Sequence, residues 1–130
     1  MPLAGYSGKS LVHKLGYLPG ERIYVINEPK HFIKELEEND IVITNKLPAD
    51  WVHLFVSNRK SLEALLATLD LKAIGKGLWV SWPKKASGVK TDLTEQTFRD
   101  LILPLGWVDI KVAAVDDIWS GLKFTRRRRS

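Results

Sequence analysis

Two short apolar runs constrain the fold of this chain more than any other feature. Trp51–Val56 and Leu78–Trp82 contain no Lys, Arg, Asp or Glu. A strand with one face in water alternates apolar and polar residues, whereas a strand covered on both faces forms a continuous apolar run. Both runs therefore predict strands that lie buried inside a mostly parallel sheet.

Segments with helical spacing separate and follow these strands. Leu62 begins a set of four leucines at positions i, i+3, i+4 and i+7, and we expect Gly75 and Gly77 to close that segment. A second apolar set with the same spacing follows Asp92, which is placed as a helix cap. Pro104 should stop that helix near its last turn, because proline has no amide hydrogen.

The first third of the chain predicts two short helices and two short strands. The first helix runs from Ser7, its predicted N-cap, to Gly16. Arg22–Asn27 predicts the first strand, and Pro29 suits the first turn of the helix after it. Ile41–Ile43 predicts a second, short strand.

The chain closes with a predicted hairpin of strands, Val108–Ala114 and Ile118–Thr125. Strands that alternate with helices form a mostly parallel sheet with helices on both faces, to which the hairpin adds one antiparallel strand. A chain of 130 residues with 45% hydrophobic content is the size of one such α/β domain. We assign that domain to residues 1–125 and expect a disordered basic tail at 126–130.

The net charge of +5 is concentrated in that tail. Four of the 20 Lys and Arg residues are consecutive, at Arg126, Arg127, Arg128 and Arg129, and the rest of the chain is close to neutral. Nucleic acid is therefore not an expected partner, because no basic face with stacking aromatics is evident. The chain lacks cysteine, a signal peptide and any apolar run near the roughly 20 residues that cross a bilayer, so we expect a cytoplasmic protein with no membrane contact.

A lysine-rich loop after Leu78–Trp82 is the best candidate for a binding site. Ligands of open α/β sheets bind beyond the carboxyl ends of the strands, close to helix N-termini. Loops after the first and third predicted strands should reach the same crevice. The residues predicted to bind an anionic small molecule are Lys84, Lys85, Ser87, Gly88, Lys90, Thr91, Asn27, Glu28, Ser57, Asn58 and Arg59.

A second candidate surface involves the terminal hairpin and the tail. If Trp119 is exposed beside Trp107, the two indole rings predict a surface for a partner or for a homodimer. The arginines at 126–129 would extend that surface towards an acidic partner. The sequence leaves monomer and homodimer open.

Metal and catalytic sites are not evident from the sequence. His13, His31 and His53 are far apart and lack the spacing of a metal motif. His53 lies inside an apolar run, which predicts a hydrogen-bonded core histidine. We therefore expect no metal, no resident cofactor and no catalytic residue.

Several blocks resemble a family of short bacterial proteins of unknown function. They include Val52–Val56, Trp79–Lys84 and Trp119–Lys123, and the tryptophan-lysine block is the most specific. The resemblance covers nearly the whole chain, but it implies no activity.

The order of elements is distantly similar to the Rossmann-like fold of class I methyltransferases that use S-adenosylmethionine, since those enzymes also end with an antiparallel strand inserted in the sheet. The resemblance implies a three-layer sandwich. Two cofactor determinants of that family are missing: the turn Asn27–Lys30 has no glycine, and Thr44–Lys46 offers no acidic residue.

Three hypotheses for the function follow. The first is a non-catalytic Rossmann-like domain that binds an anionic small molecule at the lysine loop. The second is a minimal methyltransferase that uses S-adenosylmethionine through an unconventional turn. The third is an adaptor that meets an acidic partner through the hairpin or the arginine tail.

Overall fold

The computed structural model describes residues 10–127. Six strands form one sheet: β1 (Arg22–Ile26), β2 (Val42–Thr44), β3 (Ala49–Phe55), β4 (Ile74–Pro83), β5 (Trp107–Ala114) and β6 (Trp119–Arg126). The α-helices are α1 (Leu11–Leu15), α2 (Phe32–Glu37), α3 (Arg59–Thr68) and α4 (Glu95–Ile102). Three short 3₁₀ turns lie at Leu71–Ala73, Lys85–Ser87 and Leu103–Leu105.

The sheet has the strand order β2-β1-β3-β4-β6-β5. Strands β1 to β4 are parallel, with Ile26 opposite Leu54 and Leu54 opposite Val80. Strand β6 is inserted antiparallel between β4 and β5. The predicted α/β class, mostly parallel with an antiparallel terminal hairpin, is confirmed.

Each face of the sheet has its own apolar core, which makes the molecule a three-layer sandwich. Leu62 of α3 and Phe98 of α4 pack on one face, around Val80 and Leu122. Leu15 of α1 and Leu36 of α2 pack on the other, around Trp79. Both apolar runs of the sequence supply residues to both cores, as expected of strands covered on two faces.

Two predicted helix starts were wrong. Ser10 caps α1, since its side chain accepts a hydrogen bond from the amide of His13, while Ser7 lies outside the described residues. Helix α4 begins at Glu95 rather than near Leu93, because Thr94 and Thr97 form a reciprocal capping box. The predicted ends are closer: Gly16 ends α1 with a φ of 81°, and α4 ends two residues before Pro104.

Gly75 and Gly77 do not close the leucine helix as predicted. Both residues belong to β4, which starts at Ile74. Glycine is required at position 77, since a Cβ there would lie 2.5 Å from the Trp51 ring and 2.7 Å from the carbonyl oxygen of Phe124. Gly77 thus lets β4 pass closely between its neighbours, and neither glycine ends a helix.

Two arginines that were predicted to belong to a disordered tail are part of the fold. Arg126 is the last residue of β6, and its guanidinium donates to the carbonyl of Leu71 at 2.8 Å and lies 4.9 Å from the centre of the Trp107 ring. Arg127 donates from its backbone to Gly106 at 2.9 Å. The first two tail arginines are therefore part of the fold, and Arg128 and Arg129 lie outside the described residues.

None of the helices within residues 10–127 is both long and apolar enough to span a bilayer.

Candidate functional site

An open cleft of about 570 Å³ lies between the loops that follow β3 and β4. Both loops leave the carboxyl ends of parallel strands, where α/β proteins bind their ligands. The β3 loop contributes Ser57 and Asn58. The lining from the β4 loop is Lys85, Gly88, Val89, Lys90, Thr91 and Asp92. Six of the predicted site residues are thus brought together by the fold.

Two lysine side chains line the cleft. Lys85 and Lys90 are exposed, and neither forms a salt bridge within residues 10–127. The hydroxyl of Thr91 accepts a hydrogen bond from the amide of Leu93 at 3.1 Å, so its own hydrogen is free to point towards the cleft. Two ammonium groups with hydroxyl donors beside them are suited to an anion.

Asp92 has a different role from the one predicted. Its Oδ1 accepts a hydrogen bond from the backbone amide of Arg59 at 2.8 Å, and this fastens the lysine loop to the start of α3. Asn58 satisfies a second amide of α3, that of Ser61, also at 2.8 Å. The chain therefore caps α3 with its own side chains, and Asp92 is left as a carboxylate inside the cleft.

Three other predicted residues support the cleft without lining it. The Ser87 hydroxyl bonds within the loop, donating to the Lys84 carbonyl at 2.6 Å and accepting from the Val89 amide at 3.1 Å. The Lys84 amide donates to Ile118 at 2.7 Å, which anchors the loop to the terminal hairpin. Arg59 turns away to form an exposed ion pair with Glu63.

Asn27 and Glu28 do not reach the cleft. They follow β1, and β3 separates β1 from β4 in the sheet. Two strand spacings, about 10 Å, thus separate β1 from β4, and neither residue lines the cleft. Glu28 instead lines a second cavity of about 550 Å³ with Val25, Ile33, Ile43, Thr44 and Asn45.

The turn after β1 adopts left-handed backbone conformations although it has no glycine. Asn27 has a φ of 61° and His31 a φ of 71°. Asparagine tolerates this region better than most residues, because its short side chain can hydrogen-bond locally. The lack of glycine therefore leaves side chains along the turn but does not prevent a tight change of direction.

Trp107 and Trp119 do not form the shared surface that the sequence suggested. Each indole lies at the start of its strand, and β5 and β6 are antiparallel, so the two lie at opposite ends of the hairpin. Trp107 is 2% exposed in the α3–α4 core. Trp119 is partly buried on the other face, with its ring 5.2 Å from that of Phe55.

A buried polar chain, predicted only in part, lies beneath the α1–α2 face. His53 is fully buried; its Nδ1 lies 2.9 Å from the hydroxyl of Tyr17 and its Nε2 lies 2.7 Å from the hydroxyl of Ser81. Burial lowers the pKa of His53 to about 3 and raises the pKa of Tyr17. These three side chains are buried in the core, and none of them lines the cleft, so this polar chain supports the core and is not part of the cleft.

Within residues 10–127 no three His, Asp or Glu side chains gather in a way that could hold a metal ion.

No protein-family model matches the chain, and no curated protein sequence matches it. Solved structures do. A protein of the NADB-Rossmann superfamily from Streptococcus agalactiae matches with a TM-score of 0.57 and 11% identity, over 100% of this chain and 72% of that one. The magnesium protoporphyrin IX methyltransferase of Synechocystis PCC 6803, solved with bound SAM, matches with a TM-score of 0.56 and 12% identity, over 89% and 74%. An uncharacterised protein from Listeria monocytogenes serotype 4b matches with a TM-score of 0.56 and 10% identity, over 95% and 69%.

The fold is Rossmann-like. The chain is distantly similar to class I methyltransferases that use S-adenosylmethionine, and at this level of identity the similarity concerns the fold alone. The predicted resemblance to a short bacterial family stays a prediction.

Proposed function

We propose that this protein is a small Rossmann-like binding domain that holds an anionic small molecule in the cleft between the β3 and β4 loops. The observation that carries the proposal is a pair of lysines, Lys85 and Lys90, in a cleft at the carboxyl ends of two parallel strands. Neither lysine forms a salt bridge within residues 10–127.

The rest of the lysine loop supports this proposal by holding its shape. Gly88 has a φ of 79° at the end of the 3₁₀ turn. Residues other than glycine adopt this left-handed backbone conformation only at a cost in free energy. The Ser87 hydroxyl and the Asp92 carboxylate fix the loop at its two ends. A loop held by its own hydrogen bonds loses less conformational entropy on binding than a free one.

Replacing both Lys85 and Lys90 by alanine is expected to weaken binding of inorganic phosphate about ten-fold, because each exposed charge contact contributes up to about 1 kcal/mol. The melting temperature should change by less than about 2 °C, since both side chains are exposed. Phosphate titration of ¹⁵N-labelled protein at low salt, followed by NMR, measures the affinity.

The matched control is a double variant, Lys34→Ala with Lys84→Ala, which removes two lysines outside the cleft. Sequence alone would have chosen Lys84 for the binding variant, but Lys84 does not line the cleft. Equal phosphate affinity for the two double variants would contradict the proposal, since only net charge would then matter.

A minimal methyltransferase is the second candidate, favoured by the cavity of about 550 Å³ at the carboxyl ends of β1 and β2. The apolar side chains of Val25, Ile33 and Ile43 could face an adenine ring, and Glu28 and Asn45 could bind hydroxyl groups of a ribose. Glu28 would thus supply an acidic group that the end of β2 lacks.

Calorimetric titration with S-adenosylmethionine at low salt tests this candidate. If the cavity is a cofactor site, we expect micromolar binding to the natural protein and none to Asn45→Trp. Asn45 is an exposed residue of the cavity lining, so an indole at this position would fill the cavity. No heat at millimolar cofactor would dismiss the methyltransferase function and leave the anion-binding proposal unaffected.

A further inference from the structure

The cleft holds one negative group among its cations. Asp92 is exposed in the lining, and only its Oδ1 has a hydrogen-bond partner within residues 10–127, namely the amide of Arg59. Its Oδ2 has no partner among these residues. Lys90, two residues earlier, forms no salt bridge with it.

This arrangement suits a ligand that carries both signs of charge better than it suits a simple anion. A phosphate attracted by Lys85 and Lys90 is also repelled by the Asp92 carboxylate, because like charges in one cleft oppose each other. A ligand that carries an ammonium group beside its anionic group meets both signs of charge. Its anion faces the lysines and its amine donates to the free oxygen of Asp92.

We propose that the cleft selects small molecules that carry an amine next to their phosphate or carboxylate, and that Asp92 is the residue that recognises the amine. The inference rests on the proposed function, since it concerns the same cleft. It assigns Asp92 a specificity role in addition to its bond with Arg59.

Two ligands of equal chain length separate this selection from general anion binding. Phosphoethanolamine carries an ammonium group where propyl phosphate carries a methyl group. The protein is expected to bind phosphoethanolamine about three- to five-fold more tightly, as the range for an exposed ion pair allows. NMR titration of the full chain at low salt measures both affinities.

Asp92→Asn removes the charge and keeps an oxygen that can accept from Arg59. This variant should bind the two ligands equally, and it should bind propyl phosphate more tightly than the natural protein does because the repulsion is gone. Asp100→Asn is the control, since Asp100 is an exposed carboxylate bonded to Gln96 on α4 and lies outside the cleft. It should keep the natural preference.

The outcomes distinguish the two proposals. Equal affinity of the natural protein for both phosphates overturns selection by Asp92 and leaves anion binding intact, and this comparison needs no variant. A preference that persists in Asp92→Asn also overturns the role of Asp92. Failure of both ligands to bind the natural protein at millimolar concentration overturns the proposed function itself.

Discussion

Trp79→Ala is expected to remove about 4 kcal/mol from the free energy of unfolding, a large share of the 5–15 kcal/mol that stabilises a typical domain. Trp79 is completely buried, and its indole nitrogen donates to the Leu15 carbonyl at 3.0 Å. The backbone at Gly121 packs directly on the ring, where a Cβ would lie 3.1 Å away. Truncation therefore opens a cavity and leaves a buried carbonyl unpaired. Urea unfolding followed by far-UV circular dichroism measures the loss.

Trp119→Ala is the matched control. Trp119 is partly exposed and contacts the same core through an edge-to-face pair with Phe55. Its loss should cost about 1 kcal/mol, in the range of such aromatic pairs. If the two variants lost equal stability, Trp79 would not be the centre of the α1–α2 core.

The parallel sheet was predictable because β3 and β4 have apolar residues on both faces. Strands covered on both faces are typical of parallel α/β sheets, so Trp51–Val56 and Leu78–Trp82 predicted helices packed against the sheet. Strand order was not predictable in the same way. It depends on which crossovers the loops make, and periodicity within a strand carries no information about its neighbours.

The error at the start of α4 has a tertiary cause. Asp92 is a good capping residue by type, but its carboxylate accepts a hydrogen bond from the amide of Arg59, which lies 33 positions earlier in the chain. Thr94 then caps α4 in its place. Asp92 and Thr94 are both suitable N-cap residues by type, and the contact with Arg59 decides between them.

The sequence predicted correctly those cleft residues that follow two directly paired strands. Ser57 and Asn58 meet the lysine loop because β3 and β4 pair directly. Asn27 and Glu28 follow β1, which does not pair with β4, and they do not line the cleft. The tryptophan surface failed for a related reason, since the antiparallel course of the hairpin sends Trp107 and Trp119 to opposite ends.

Acid is expected to destabilise the protein well above the pH at which its carboxylates titrate. Burial lowers the pKa of His53 to about 3, whereas an unfolded histidine titrates near pH 6.5. Below pH 6.5 the unfolded state therefore binds a proton that the folded state does not, and stability falls as the pH decreases. Between pH 7 and pH 5 the loss should be about 2 kcal/mol, with a further loss down to pH 3.

His53→Gln isolates this effect, because glutamine stays neutral and still offers a partner to Ser81. The variant should be less stable at pH 7, since the hydroxyl of Tyr17 loses its bond, but its stability should be nearly constant between pH 7 and pH 5. Glu21, whose pKa is lowered by its hydrogen bonds to Lys76, Leu18 and Trp51, adds acid sensitivity only below about pH 4.5. Urea unfolding at several pH values measures the slope. If the variant had the same slope as the natural protein between pH 7 and pH 5, a group other than His53 would be responsible.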